Sequence, residues 1–111
     1  MKAKTILSEA IKLVDGDRKD THGDMVENHE NIARLWNGYL WNVDTLTGSD
    51  VANMMEILKV ARRKLGALNA DDYVDGGGYS GVSYECKIAE LKIENKHEKT
   101  KVGRKNRVGP R

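Results

Sequence analysis

The stretch Asn53–Tyr79, NMMEILKVARRKLGALNADDYVDGGGY, decides how the rest of the chain is read. Met54, Met55, Leu58, Ala61 and Leu65 recur at three- and four-residue spacing, the signature of a helix with one buried stripe. Ile57 and Val60 widen that stripe until the helix is apolar most of the way round. Set into it are Glu56, Lys59 and Arg62, each three residues from the next and therefore neighbours on one face. After a break at Gly66–Asn69, a second segment carries Asp72 and Asp75, again three apart. Charges this close to a core need partners, because an unpaired buried charge is costly. Two uses are open: a mutual ion-pair network, or a site that holds a metal and a phosphate.

Working outward, residues 3–14 place Ile6, Leu7, Ala10, Ile11 and Val14 at helical spacing, and Asp15-Gly16-Asp17 stops that helix. The loop DGDRKDTHGD at 15–24 is too charged for a core and rich in ligand-capable side chains. Asp24 with Glu27 three residues on reads as a capping box. The helix it opens runs to Leu40, with Val26, His29, Ala33, Trp36 and Leu40 inward. Thr47-Gly48-Ser49-Asp50 starts the next helix, with Ser49 or Asp50 as cap. A fourth begins at Asn69 or Ala70 and continues through Tyr84, Ile88 and Leu91. Inside it, Gly76-Gly77-Gly78 implies either a break or a backbone approached closely by another helix or a ligand, since each glycine costs about 1 kcal/mol relative to alanine.

Composition agrees with helices. Aromatic residues make up 5% of the 111, with no Phe, and the one proline is Pro110. The core therefore rests on Leu, Ile, Val, Met and Ala, which suit packed helices better than a sheet. The expected fold is all-α, an antiparallel bundle of about four helices. A single Cys86 rules out an internal disulfide and fits a reducing cytoplasm. No apolar run approaches the roughly 20 residues of a membrane span, and the N-terminus lacks the apolar core of a signal peptide. The expectation is a cytoplasmic protein with no membrane partner.

The net charge of +2 conceals an asymmetry. Residues 96–111 carry seven Lys or Arg against Glu98, and residues 1–95 carry 12 bases against 16 acids. The division expected is a helical domain at 1–95 and a basic, disordered tail at 96–111. Nucleic-acid contact is expected only weakly, through that tail.

Several side chains carry candidate chemistry. Glu56, Asp72 and Asp75 offer the hard oxygen ligands that Mg²⁺ prefers, although an i,i+3 carboxylate pair is more often solvated or paired with Lys and Arg. Glu27 and Glu30 are reserve ligands of the same kind. Lys59 and Arg62 suit phosphate, or else they neutralise the acids. Arg63 and Lys64 read as surface charges at a helix C-terminus. His29 is either a satisfied core histidine or, with Asn28 beside it and His22-Gly23-Asp24 upstream, a contact to a base or sugar. Tyr79 either stacks on a base or packs.

In order, His22-Gly23-Asp24, Glu27-Asn28-His29, Lys59 to Arg62, Asp72 to Asp75 and Gly78-Tyr79 resemble motifs of small phage and prophage proteins. Those proteins are related to the all-α nucleoside triphosphate pyrophosphohydrolases, the MazG-like enzymes and dimeric all-α dUTPases. The resemblance covers residues 1–90. It implies a bundle completed by oligomerisation, a dimer or higher, in the host cytoplasm. It also implies Mg²⁺ held by Glu56, Asp72 and Asp75, phosphates on Lys59 and Arg62, and a nucleoside framed by Asp24, Asn28, His29 and Tyr79. The implied reaction is Mg²⁺-dependent hydrolysis of a (deoxy)nucleoside triphosphate to monophosphate and pyrophosphate. Where MazG-type enzymes read Glu-Glu-x-x-Glu, this chain has Met55-Glu56-Ile57-Leu58-Lys59. That thinner acid set gives two alternatives: a nucleotide or nucleotide-signal binder that does not cleave, and a structural helical oligomer.

Overall fold

The computed structural model describes residues 1–15, 24–43 and 45–100. Four helices account for nearly all of them, and no strand occurs among the described residues. They are α1 (Ala3–Asp15), α2 (Met25–Leu40), α3 (Gly48–Leu65) and α4 (Ala70–Thr100). The expected all-α bundle is therefore the fold.

Local chemistry sets the boundaries. Asp24 caps α2, its carboxylate accepting from the Glu27 amide at 3.3 Å. Helix α2 ends at Trp41, which takes the left-handed conformation with φ 61°. Thr47, rather than Ser49 or Asp50, caps α3, with Asp50 closing a reciprocal capping box. The preference is geometric: Thr47 is the residue with extended backbone, so its hydroxyl faces the first-turn amides. Ser49 instead takes a carboxylate from α4. Glu90 accepts from the Ser49 amide at 2.9 Å and from its hydroxyl at 2.8 Å, which places an acid at the positive end of α3.

Helices α3 and α4 form the most extensive pairing, while α1 lies on α4 and α2 packs chiefly on α3. Cross-contacts at Arg63–Asp72, Lys59–Asp75, Asn53–Ser83 and Ser49–Glu90 step down one helix and up the other, so the pair is antiparallel. Asn37 fixes the 41–47 connection by bonding both backbone groups of Leu46 at 3.0 Å. Met25, Ala52, Val82 and Cys86 form the centre, with Val14 and Val26 against it.

Gly76-Gly77-Gly78 does not break α4, which is continuous from Ala70 to Thr100. The triplet is a close-approach surface used from two sides. A Cβ on Gly77 would stand 3.2 Å from Ala10 Cβ and one on Gly78 3.6 Å from Val14 Cγ1, so α1 crosses there. A Cβ on Gly76 would collide with the Arg63 guanidinium from α3. Helix α4 runs past Lys96 to Thr100. The rest of the basic stretch, and the His22-Gly23 part of the loop, lie outside the described residues.

Helix α3 reverses the expected orientation. Val51, Ala52 and Lys59 are buried, whereas Met54, Leu58, Ala61 and Leu65 are exposed. The α4 backbone at its glycines admits a close neighbour, and the long stems of Lys59 and Arg63 fill that space while their charges find partners. Polar pairing therefore selects the inward face of α3, and the apolar stripe is turned outward. In α1 and α2 the inward sets hold for Ala10, His29 and Ala33, while Leu7, Ile11 and Leu40 face solvent.

Candidate functional site

Two clefts, rather than one, receive the side chains singled out by the sequence. The first lies between α2, α3 and α4, a cavity of about 350 Å³. It is lined by Met25, Asn28, His29, Asn31, Ile32 and Trp36 from α2, Val51 and Met55 from α3, and Tyr79 from α4. His29 is buried, and its Nδ1 donates to the Met25 carbonyl at 2.8 Å. That bond fixes the tautomer and leaves Nε2 as the acceptor of the neutral ring. The Tyr79 ring meets the His29 ring edge-on at 6.1 Å between centroids. The result is a pocket with three ring-bearing side chains, two amides and two thioethers, the mixture of apolar wall and few polar groups found in small-molecule sites.

Asp75 does not line this cleft. With Leu13, Val14, Met25, Gly78, Tyr79 and Val82 it lines a narrow crevice beside Tyr79. Its Oδ2 lies 2.8 Å from Lys59 Nζ, with the side chain of Lys59 10% and that of Asp75 24% exposed. This is the ion-pair use of these charges that the sequence left open.

Asp72 and Arg62 are elsewhere. Together with Gly66–Asn69 they line a second cavity of about 440 Å³ at the α3–α4 turn. Asp72 is buried and Arg62 exposed. Glu56 is half-buried on α3, and Asp24 is occupied as the α2 cap. Among the described residues no group of three or more His, Cys, Asp or Glu side chains is placed to hold a metal ion. Glu56, Asp72 and Asp75 of one chain thus do not fit the Mg²⁺ site the resemblance implies. His29, Asn28 and Tyr79 are brought together, whereas Arg62 and Asp72 are separate from them.

The sequence reading missed Arg63. Far from a surface charge, it donates through Nε and Nη2 to the Asp72 carbonyl at 3.3 and 3.1 Å and lies 4.6 Å from the Tyr73 ring centroid. The signal was present in its four-residue spacing from Lys59 and in Gly76, which leaves room for a guanidinium. Trp36 and Met55 were legible as apolar positions but not as cleft lining, and Met25 was not singled out. Cys86 is wholly buried; burial, followed by the nearby acids Glu90 and Glu30, pushes its thiol up to about 11. Such a thiol is protonated and unreactive.

The fold and cleft define a small all-helical domain with an open, ring-lined cleft. Residues 5–87 match the family described as Domain of unknown function (DUF6378), and the chain belongs to it. It is similar to the Gene 55 protein of Mycobacterium phage L5, 41% identical over 86 residues, covering 78% of this chain and 54% of that protein. It is also similar to the Gene 55 protein of Mycobacterium phage D29, 38% identical over 79 residues, covering 71% and 51%. The chain spans about half the length of these curated relatives, and their phage origin agrees with the motif resemblance. No solved structure matches significantly. None of these names states an activity, so the likeness to MazG-like enzymes rests on the motifs alone. No helix among the described residues is long and apolar enough to cross a membrane.

Proposed function

We propose that this domain binds a nucleotide, as a homo-oligomer in the host cytoplasm. The observation that supports this best is the cleft of about 350 Å³ in which His29, Trp36 and Tyr79 offer rings and Asn28 and Asn31 offer amides. Its size is within the range of roughly 300–1,000 Å³ for small-molecule sites. A planar base stacks on rings, and amides pair with its edge. Met55, in the cleft wall, and Arg62 share one face of α3 two turns apart, about 10 Å along the axis. A triphosphate leaving the cleft along α3 reaches Arg62, the exposed cation on that path, while Lys59 is held by Asp75.

Mg²⁺-dependent hydrolysis to monophosphate and pyrophosphate is the second reading, and the position of Asp75 beside Tyr79 favours it. It needs more carboxylates than one chain brings together here, so it depends on assembly.

Incubating the full chain with ribo- and deoxynucleoside triphosphates and Mg²⁺, then resolving products and bound ligand, tests both. Intact nucleotide retained by the protein and released by Trp36→Ala or Tyr79→Ala is the expected result. Monophosphate with pyrophosphate, abolished by EDTA, would favour hydrolysis. Neither binding nor turnover would leave the charges as an internal structural network and overturn both readings.

A further inference from the structure

We propose that His29 sets the base specificity of the ring-lined cleft, its Nε2 accepting a hydrogen bond from an exocyclic amino group on the bound base. The assignment rests on the nucleotide reading of the cleft and narrows it to nucleotides of amino-bearing bases. His29 lines the cleft and is 4% exposed. Its ring is held at two points: Nδ1 donates to the Met25 carbonyl at 2.8 Å, and the ring meets that of Tyr79 edge-on at 6.1 Å. A carbonyl oxygen only accepts, so the proton of the neutral ring sits on Nδ1 and Nε2 presents a lone pair. No described residue hydrogen-bonds to Nε2. Among the described residues, no side-chain nitrogen or oxygen is both sealed from solvent and without a partner. Nε2 therefore keeps its access to solvent through the cleft that His29 lines.

The consequence is a one-sided polarity at this point of the wall. Trp36 and Tyr79 carry an N–H and an O–H, and the Asn28 and Asn31 amides carry both a donor and an acceptor, whereas the open nitrogen of His29 can only accept. A ligand that fills the cleft takes Nε2 out of water, and a buried acceptor left without a donor is costly. An exocyclic amine stands clear of its ring, where a single acceptor reaches it. A carbonyl oxygen in the same place sets lone pair against lone pair. The ring N–H of uracil or hypoxanthine is recessed beside such oxygens, and turning that edge to Nε2 brings a carbonyl into a cleft walled largely by Met25, Ile32, Val51 and Met55. Cytosine and adenine satisfy His29, and their deaminated counterparts do not.

The test is titration of the full chain with the deamination pairs CTP and UTP, and ATP and ITP, in ribo and deoxy forms, with Mg²⁺ and with EDTA. The amino-bearing member of at least one pair should be favoured by about tenfold or more in affinity, or in kcat/KM where the nucleotide is cleaved. His29→Phe, which keeps a ring and removes the acceptor, should abolish that preference. Nitrogen NMR of the native protein gives a second measurement that does not depend on the folding of the variant: the favoured nucleotide should shift the His29 Nε2 signal and leave Nδ1 in place. Equal affinities within both pairs, or a preference for UTP or ITP, would overturn the assignment and leave the nucleotide reading standing. A preference for the amine that survives His29→Phe, or that comes with no shift at Nε2, would overturn His29 as its source. Failure of every nucleotide to bind would overturn the nucleotide reading itself, and this assignment with it.

Discussion

Lys59 Nζ lies 2.8 Å from Asp75 Oδ2 across the α3–α4 contact, and this pair fixes which way α3 faces. Two long-stemmed or charged side chains are drawn into the bundle because each is the other's partner. The apolar stripe of the same helix is left outside as a consequence.

Removing one member should therefore cost more than removing both. Lys59→Met leaves the Asp75 carboxylate under-compensated and should destabilise the fold by about 2–4 kcal/mol, somewhat below the range for a fully buried pair because Asp75 keeps some solvent. Lys59→Met with Asp75→Leu should recover most of that loss. Urea denaturation of the two singles and the double would show it; a double variant as unstable as the sum of the singles would rule out the pair as an orienting contact.

The glycines of α4 should respond to alanine in order of the space each has. Gly81 has nothing within 4 Å of an added Cβ, so Gly81→Ala should stabilise by about 0.5–1 kcal/mol through helix propensity. Gly78→Ala makes ordinary contact with Val14 and should be neutral to stabilising. Gly77→Ala presses on Ala10 at 3.2 Å and should offset that gain. Gly76→Ala should be the most harmful, since Arg63 would have to leave the Asp72 carbonyl. Thermal melts of the four variants check the ranking.

Trp41 combines left-handed backbone, φ 61°, with 92% exposure. An L-residue pays about 1 kcal/mol for this conformation, and glycine does not. Trp41→Gly should raise stability by up to about 1 kcal/mol, measured as a higher urea midpoint. A fall would indicate that the Trp41 ring is buried in solution, for example within an assembly.

Cys86 gives a pH dependence whose sign is fixed by burial. Its folded pKa is raised to about 11 from 9.0, so the folded state holds the proton more tightly than the unfolded state. The contribution is complete below pH 9 and is lost as pH rises from about 9 toward 11. Cys86→Ala should flatten that part of the stability profile. Native protein at pH 8 should also resist a thiol reagent that labels it at once in denaturant.

Helix count, the Asp24 cap and the α3–α4 break at Gly66–Asn69 were legible in the chain because each depends on a few neighbouring residues. The candidate site was half legible. His29, Asn28 and Tyr79 line one cleft, while Asp72 and Arg62 line another. The reason is axial: Asp72 and Tyr79 are seven residues apart and share one face of α4, but the two turns between them, about 10 Å, carry Asp72 to the α3–α4 turn, away from the cleft that Tyr79 lines.

The sequence by itself determined an all-helical chain, with its caps and breaks, because these follow from hydrophobic period and local hydrogen bonding. It also determined that α3 carries both an apolar stripe and embedded charges. Which of the two faces inward was decided only by the tertiary structure. The deciding contacts, Gly76 beneath Arg63 and Asp75 beside Lys59, join different helices, and their energy depends on a close backbone approach that no spacing within one helix can express.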